Sequence, residues 1–494
     1  MPPAEERLTP PAPALPAAAP AEARPALRRL LAEQAFSRAS GAPLVGGNRI
    51  WLLRDAAQNY PAWLEAIDGA SRTIHFESYI VHDDAIGRQF ADRLTAKARD
   101  GVRVRLIYDW LGALGKTSRR FWRRLRDAGV EVRCFNPPRF ESPFGWMARD
   151  HRKLLTVDSE RSFVTGLCVG RMWVGDPARG VEPWRDTGVE LRGPAVADIE
   201  RAFAETWAHT GAPLDDPLPT RASIPDAGSV MLRVVGSRPG QAELYRLDQL
   251  IAAGARRSLW LTDAYFVGGL LYVEALRAAA RDGVDVRLLV PGATDIWLVR
   301  ALSRAGYRPL LEAGIRVFEW RGSMLHAKTA VVDGRWARVG STNLNVQSWI
   351  GNWELDVAVE DEAFAEAMED MYRDDLEHAT EIVLTGRRRV RATAPERPVP
   401  RPEGGRGSVG RAAAGAIGIG SAVTAAMTNR RELGPAEATL MAAASLVLLA
   451  LAAIALLVPW LVVIPAAALS AWLGLALLLR AWRARRGAGP EAPP

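Results

Sequence analysis

The chain has 494 residues, 49% of them hydrophobic, and a formal net charge of +7 from 63 Lys and Arg against 56 Asp and Glu. That length exceeds one ordinary core, and with only Cys134 and Cys168 there is neither a disulfide framework nor a four-cysteine zinc site. A basic surface suits phosphate-bearing partners, nucleic acid or anionic lipid, without choosing between them.

Residues 1–25 are rich in Pro and Ala and lack the apolar core of a signal peptide. They read as disordered, within a low-complexity N-terminus taken to residue 39. From 40 to 212 strand and helix patterns alternate. Ile74-His75-Phe76-Glu77-Ser78-Tyr79-Ile80-Val81 reads as a strand, residues 94–107 as a helix end, an Asp-Gly turn and a buried strand, and Arg126–Val130 as a further turn. A Pro-, Asp- and Ser-rich linker occupies 213–227.

The same series then repeats over 228–385. Residues 276–289 (LRAAARDGVDVRLL) echo 94–107 (LTAKARDGVRVRLI), the segment from Trp260 to Val267 echoes Ile74 to Val81, and Leu311–Ile315 echoes Arg126–Val130. Offsets this long mark a domain-sized duplication rather than a solenoid. Alternating strands and helices predict an α/β fold with a mostly parallel sheet and helices on its faces.

A basic tether with a weakly apolar segment is expected over 386–437, including three arginines at 387–389. From 438 to 479 no residue is charged. At about 20 residues per crossing, this stretch is expected to form a transmembrane hairpin reversing near Pro459 and Trp460. Arg430 and Arg431 precede it, and a basic tail, 480–494, follows. Basic flanks predict that both ends, and the soluble body, lie on the cytoplasmic side of the cell (inner) membrane.

The chemistry is carried by a cluster found once in each half, His151-Arg152-Lys153 with Asp158 and His326-Ala327-Lys328 with Asp333. The run between Lys and Asp reads as a buried strand, and on a strand residues two apart share a face, so His and Lys project together. Small residues follow: Gly166 to Gly170 in the first half, and Gly340-Ser341-Thr342-Asn343 in the second. Two lysines can neutralise a phosphodiester, and Ser341 and Asn343 can donate to its oxygens. A neutral imidazole can attack phosphorus while a protonated one supplies the leaving alkoxide. This chemistry calls for no metal or cofactor. One His-x-Lys alone is weak; two at equivalent places among six histidines point to one shared site.

Residues 326–343 match the pattern H-x-K-x4-D-x6-G-S-x-N, and over about residues 45–385 the chain resembles the phospholipase D superfamily, in particular the bacterial cardiolipin synthases. Supporting segments are Phe76–Ile80, Tyr108–Gly112, Trp184-Arg185-Asp186-Thr187, Asp263–Phe266 and Asn352–Leu355. The resemblance implies two similar α/β halves with the motifs meeting at their interface, His151 as nucleophile and His326 as general acid. It also implies that Asp158 and Asp333 support the motif region, and that Glu354 orients a histidine. Cys168 stands where the family has Asn, and Asn345-Val346-Gln347-Ser348 where Asp-x-Arg-Ser is usual.

The implied activity is phosphatidyl transfer, with phosphatidylglycerol as substrate and no nucleic acid or obligate protein partner. Hydrolysis to phosphatidic acid, nuclease activity or a lipid-binding scaffold with a dead site are the alternatives, the last opposed by intact His, Lys and Asp in both motifs. His75, His82, His209 and His378 read as packing or surface residues. Trp184, Trp349 and Trp353 could line a groove or pack.

Overall fold

Two runs of seven strands with one shared order form the body of the protein. In the first, β1 (Val45–Arg54), β2 (Thr73–Ser78), β3 (Arg103–Asp109), β4 (Glu131–Phe135), β5 (Lys153–Val157), β6 (Arg161–Thr165) and β7 (Thr187–Arg192) lie in the order β1-β7-β6-β5-β2-β3-β4. In the second, β8 (Val230–Ser237), β9 (Ser258–Thr262), β10 (Asp285–Pro291), β11 (Arg316–Trp320), β12 (Thr329–Val332), β13 (Trp336–Gly340) and β14 (Glu354–Glu360) repeat it as β8-β14-β13-β12-β9-β10-β11. β15 (Ala379–Leu384) and β16 (Val390–Ala392) extend the far edge, and β1 pairs antiparallel with β8 to join both runs into one 16-stranded sheet. This computed structural model describes residues 23–138, 147–292, 297–384, 390–392 and 460–487, with a few positions between 445 and 458.

The duplication is present, but two details of the sequence reading are corrected. The sheet is not mostly parallel: only the β2-β3-β4 and β9-β10-β11 ladders run parallel. The motif strands explain why. Three residues join β5 to β6 (Asp158, Ser159, Glu160) and three join β12 to β13 (Asp333, Gly334, Arg335). A connection that short can only reverse the chain. Asp158, Ser159 and Asp333 accordingly take positive φ, at 54°, 57° and 54°.

The second correction concerns register. Ile74 lies opposite Val157, and Leu259 opposite Val332. Val157 and Val332 are matching motif positions, so the counterpart of Ile74 is Leu259, not Trp260. A one-residue slip on a strand exchanges its faces.

A central core spans the seam between the halves. The helix Val196–Thr210 buries Ile199, Phe203 and Trp207, and the helix Glu362–Glu377 buries Phe364, Met368 and Met371, against strands from both halves. Each large apolar side chain buried there contributes about 1.5–3 kcal/mol. Phe203→Ala would cost about 3–5 kcal/mol through transfer and cavity terms together.

The termini also depart from expectation. Residues 1–22 lie outside the described residues, but Ala23–Ser40, read as low complexity, forms a helix. Its segment 26–38 holds neither Gly nor Pro, and leucines and Phe36 recur at helical spacing. It packs on the helix Glu243–Gly254, where Arg246 donates to the carbonyl of Ala39 at 3.1 Å. At the other end, the three residues of β16 belong to the expected tether. The arginines at 387–389 lie outside the described residues, as do 411–443 and most of 444–459.

The second arm of the expected hairpin belongs to the helix Trp460–Gly487, which continues through Arg480, Arg483, Arg485 and Arg486, so much of the expected tail is helical. Among the described residues no helix is long and apolar enough to cross a membrane, and two crossings are not supported.

Candidate active site

Both motif strands begin where a parallel strand ends. Lys153 pairs with Ser78, the last residue of β2, and Thr329 with Thr262, the last of β9. The motif histidines therefore stand at the carboxyl ends of the parallel strands, where open α/β sheets build their sites.

The two halves hold each other's histidine. Nδ1 of His151 lies 2.9 and 3.1 Å from the carboxylate oxygens of Glu354, at the start of β14 in the second half. Nδ1 of His326 lies 2.7 Å from Oδ2 of Asp186, just before β7 in the first. The backbone repeats the exchange. His151 N–H donates to the Trp353 carbonyl at 2.9 Å and Trp353 N–H to that of Arg149 at 2.7 Å. His326 N–H donates to the Arg185 carbonyl at 2.7 Å and Arg185 N–H to that of Met324 at 2.8 Å. With the carboxylate accepting, Nδ1 carries the proton and Nε2 presents its lone pair to the shared space.

Lys153 and Lys328 are both buried, and each ammonium donates to the carbonyl of its own motif histidine. Burial first, with Lys153 opposing from across the seam, brings Lys328 down to about 8, although Asp186 and Asp263 pull it up. Burial and then Lys328 bring His326 down to about 3 against the pull of Asp186. Burial also lowers His151, against the pull of Glu354. Burial alone would raise both carboxyls. His151, Lys153 and Ser341 nevertheless hold Glu354 below its ordinary value, and His326, Lys328 and Trp173 do the same for Asp186. Both imidazoles are thus disfavoured as cations, each resting on a carboxylate.

The sequence-derived residues divide into two groups. His151, Lys153, His326, Lys328 and Glu354 meet at the seam. Ser341 lies there too, but its hydroxyl donates to Oε2 of Glu354 at 2.6 Å and accepts from Leu355 N–H at 2.9 Å. It acts on the carboxylate that orients His151. Asn343 is less committed: its amide nitrogen reaches only Ser348 Oγ at 3.4 Å, and its buried Oδ1 has no partner among the described residues.

Asp158 and Asp333 lie apart, about 16 Å along the strand from the lysines at 3.3 Å per residue. Asp158 accepts from Ser71, Arg72 and Thr73 N–H at 2.7–2.8 Å. Asp333 accepts from Arg256, Arg257 and Ser258 N–H at 2.7–3.0 Å. Each fixes the chain as it enters β2 or β9.

Asp186 is the residue that sequence reasoning missed. Its segment was noted, but not its role. The register pairs Thr165 with Gly188 and Gly340 with Asp356, which makes Asp186 the counterpart of Glu354. The motifs are 175 residues apart and these carboxylates 168, because the first half has a longer loop before its acid. A fixed-offset comparison therefore slides past it. The backbone makes room for it: a Cβ on Gly166 would sit 2.1 Å from Asp186 Oδ1.

The remaining candidates pack. Cys168 is buried, burial raises its thiol, and its carbonyl accepts from Tyr60 at 2.6 Å. His75 stacks on Phe203 at 4.5 Å and meets Glu200 at 2.6 Å. Trp349 donates to Asp248 at 2.9 Å in the outer core. Trp184 and Trp173 do border the site, with rings 5.6 and 5.7 Å from that of His326.

Comparison with known proteins places this geometry. The family profile described as cardiolipin synthase, PLD-like domain, matches residues 63–171 and 248–376. Cardiolipin synthase A of Pseudomonas aeruginosa PAO1 is 36% identical over 370 residues, covering 72% of this chain and 73% of that protein. Cardiolipin synthase of Halalkalibacterium halodurans is 32% identical over 353 residues, covering 70% and 69%. Among solved structures, phosphatidylserine synthase of Haemophilus influenzae Rd KW20 shares the fold at a TM-score of 0.58 with 14% identity, over 71% of this chain and 92% of that one.

Proposed function

The chain belongs to the cardiolipin synthase, phospholipase D-like family, and from that premise we propose that it is a phosphatidyltransferase working through a phospho-histidine. The reciprocal bonding of His151 to Glu354 and His326 to Asp186 carries the reading. It turns both Nε2 atoms toward one space lined by two buried lysines, the constellation that in-line displacement at a phosphodiester requires.

Phosphatidylglycerol is the proposed donor. Nε2 of His151 attacks phosphorus, the bond to the glycerol oxygen breaks, and His326 gives that oxygen its proton. Lys153, Lys328 and the amide of Asn343 meet the charge on the non-bridging oxygens. In the second step the hydroxyl of another phosphatidylglycerol yields its proton to His326 and attacks phosphorus. The phosphorus–nitrogen bond breaks, giving cardiolipin. Burial and Lys328 disfavour a charged His326. An anion between the lysines offsets their push, so the proton His326 delivers is taken up as the substrate binds.

A lipid substrate places the protein at a membrane. The exposed Trp460, Leu461, Val463 and Ile464 of the C-terminal helix support lipid contact. The basic flanks favour the cytoplasmic face of the inner membrane.

Quenching the protein in denaturant at neutral pH within one turnover on phosphatidylglycerol tests the intermediate by peptide mass, because a phosphorus–nitrogen bond is lost in acid. The expected result is a phosphatidylated peptide containing His151 in the parent and none in His151→Ala. An adduct on His326, or none, contradicts the assignment.

A further inference from the structure

Between the first motif histidine and its lysine, Arg152 points to the opposite face of the strand and is fully buried. Its guanidinium reaches both halves. It donates to the carbonyl of Ala202 at 2.7 Å and to Thr206 Oγ1 at 3.2 Å on the first half's helix Val196–Thr210. It also donates to the carbonyls of Glu354 and Ser237, each at 3.2 Å, at the ends of two second-half strands. The ring of Trp353 lies 5.0 Å from it.

A buried cation bonded mainly to carbonyls needs a counter-charge. Glu205 is 3.9 Å away and 38% exposed, which makes it a weak one. Glu77 and Asp150 are fully buried and act electrostatically on each other, with Arg152 pulling both down. Among the described residues neither oxygen of Glu77 nor Oδ2 of Asp150 takes part in a hydrogen bond that meets ordinary geometry, with Thr206 as the other polar neighbour of Glu77. Two carboxylates cannot face each other unprotonated in a dry site, but one shared proton satisfies both. Burial raises both carboxyls, and Glu77 raises Asp150 further, so the pair favours holding one proton between them. The pair then carries a single negative charge against the single positive charge of Arg152. In the second half these positions hold Thr262, Leu325 and Ala327, so the device serves only the His151 side.

We infer that Arg152 is a positioning residue: balanced by the one proton shared between Glu77 and Asp150, it clamps the backbone of Glu354 across the seam and so holds that carboxylate on His151. The inference rests on the reading of His151 as the nucleophile, and it adds what keeps the nucleophile's partner in place. Arg152 faces away from substrate, so its loss acts on kcat and leaves KM nearly alone.

The test is release of glycerol from phosphatidylglycerol in mixed micelles by the full chain, which requires no particular acceptor. Arg152→Met is expected to lower kcat about 100-fold with KM within threefold. Asp150→Asn keeps a donor to Glu77 and one negative charge, and Glu77→Gln does the same in reverse. Each is expected to stay within about fivefold of the parent, whereas the double variant E77Q/D150N, which has no charge left, falls about 100-fold. Single amides as damaging as the double, or a double variant near parental activity, would overturn the shared-proton clamp, as would full activity in Arg152→Met. If Arg152→Met does not melt cooperatively, the amide series decides. If the parent releases no glycerol, the functional reading fails by itself. The clamp is then read from 15N-histidine spectra, with the His151 signal identified by its loss in His151→Gln. Arg152→Met is expected to shift the Nδ1 signal of His151 away from its hydrogen-bonded position, and an unmoved signal would sink the clamp.

Discussion

Nδ1 of His326 and the carboxylate of Asp186 stand 2.7 Å apart although they belong to different halves of the chain, and His151 with Glu354 mirrors them. Neither half can orient its own histidine. Asp186→Asn is expected to lower kcat about 10²–10⁴-fold by letting the wrong tautomer form, as carboxylate-to-amide changes behind a catalytic histidine do. Glu354→Gln is expected to fall in the same range. Steady-state kinetics with KM and kcat resolved check this. A loss confined to KM would speak against an orienting role.

Lys328 is expected to set the alkaline edge of activity. Burial and Lys153 bring its ammonium down to about 8, so it is charged below that pH and loses its proton above it. The rate is expected to fall as pH rises through about 8 in the free protein. Lys328→Arg, charged throughout, is expected to lower the rate but remove that edge. Asp263→Asn takes away a nearby negative charge and is expected to move the edge to lower pH. A pH–kcat/KM profile for the three proteins decides.

Binding of the anionic substrate is expected to draw in protons near neutral pH. Burial and Lys328 hold His326 down to about 3, and a phosphodiester between the lysines is expected to raise it. Calorimetric titration of His151→Ala with a short-chain phosphatidylglycerol, repeated in buffers of different ionisation enthalpy, measures the uptake. His326→Ala in the same background is expected to abolish it.

Asp158 and Asp333, bonded to backbone away from the histidines, are expected to act on stability rather than on the reaction. Removing the carboxylate at Asp158 leaves three backbone N–H groups to water, two of them at exposed positions, and is expected to cost about 0.5–1.5 kcal/mol, with kcat unchanged per folded molecule. Burial would raise the Asp158 carboxyl, but the N–H groups of Thr73, Ser71 and Arg72 bring it below its ordinary value. A carboxyl depressed in the folded state stabilises above its unfolded pKa of about 4, and that stabilisation fades as pH falls through the folded value. Asp158→Asn, which suits the positive φ, is expected to cost less than Asp158→Ala. Denaturant unfolding at pH 7 and below pH 4 checks both.

Much of this was legible in the sequence because the duplication repeats chemistry and pattern together. His151, Lys153, His326 and Lys328 could be paired by spacing alone, and the Asp-Gly turns located the parallel strands. What escaped depended on register and loop length. Asp186 hid behind a loop seven residues longer than its counterpart before Glu354. The alignment of Ile74 with Trp260 matched similar residue types one position out of register. The direction of the sheet was misjudged because hydrophobic runs in motif strands read alike whether their neighbours are parallel or antiparallel. The helix Ala23–Ser40 is hidden in the sequence because a Pro-rich stretch runs directly into its helix-forming residues.

The most direct measurement is incubation of the full-length protein with phosphatidylglycerol in mixed micelles, followed by mass analysis of products, for the parent, His151→Ala and His326→Ala. The parent is expected to yield cardiolipin and glycerol in equal amounts, and both variants to lose turnover by at least about 10³-fold. Phosphatidic acid in place of cardiolipin would contradict the transferase, and full turnover in either variant would contradict the shared site.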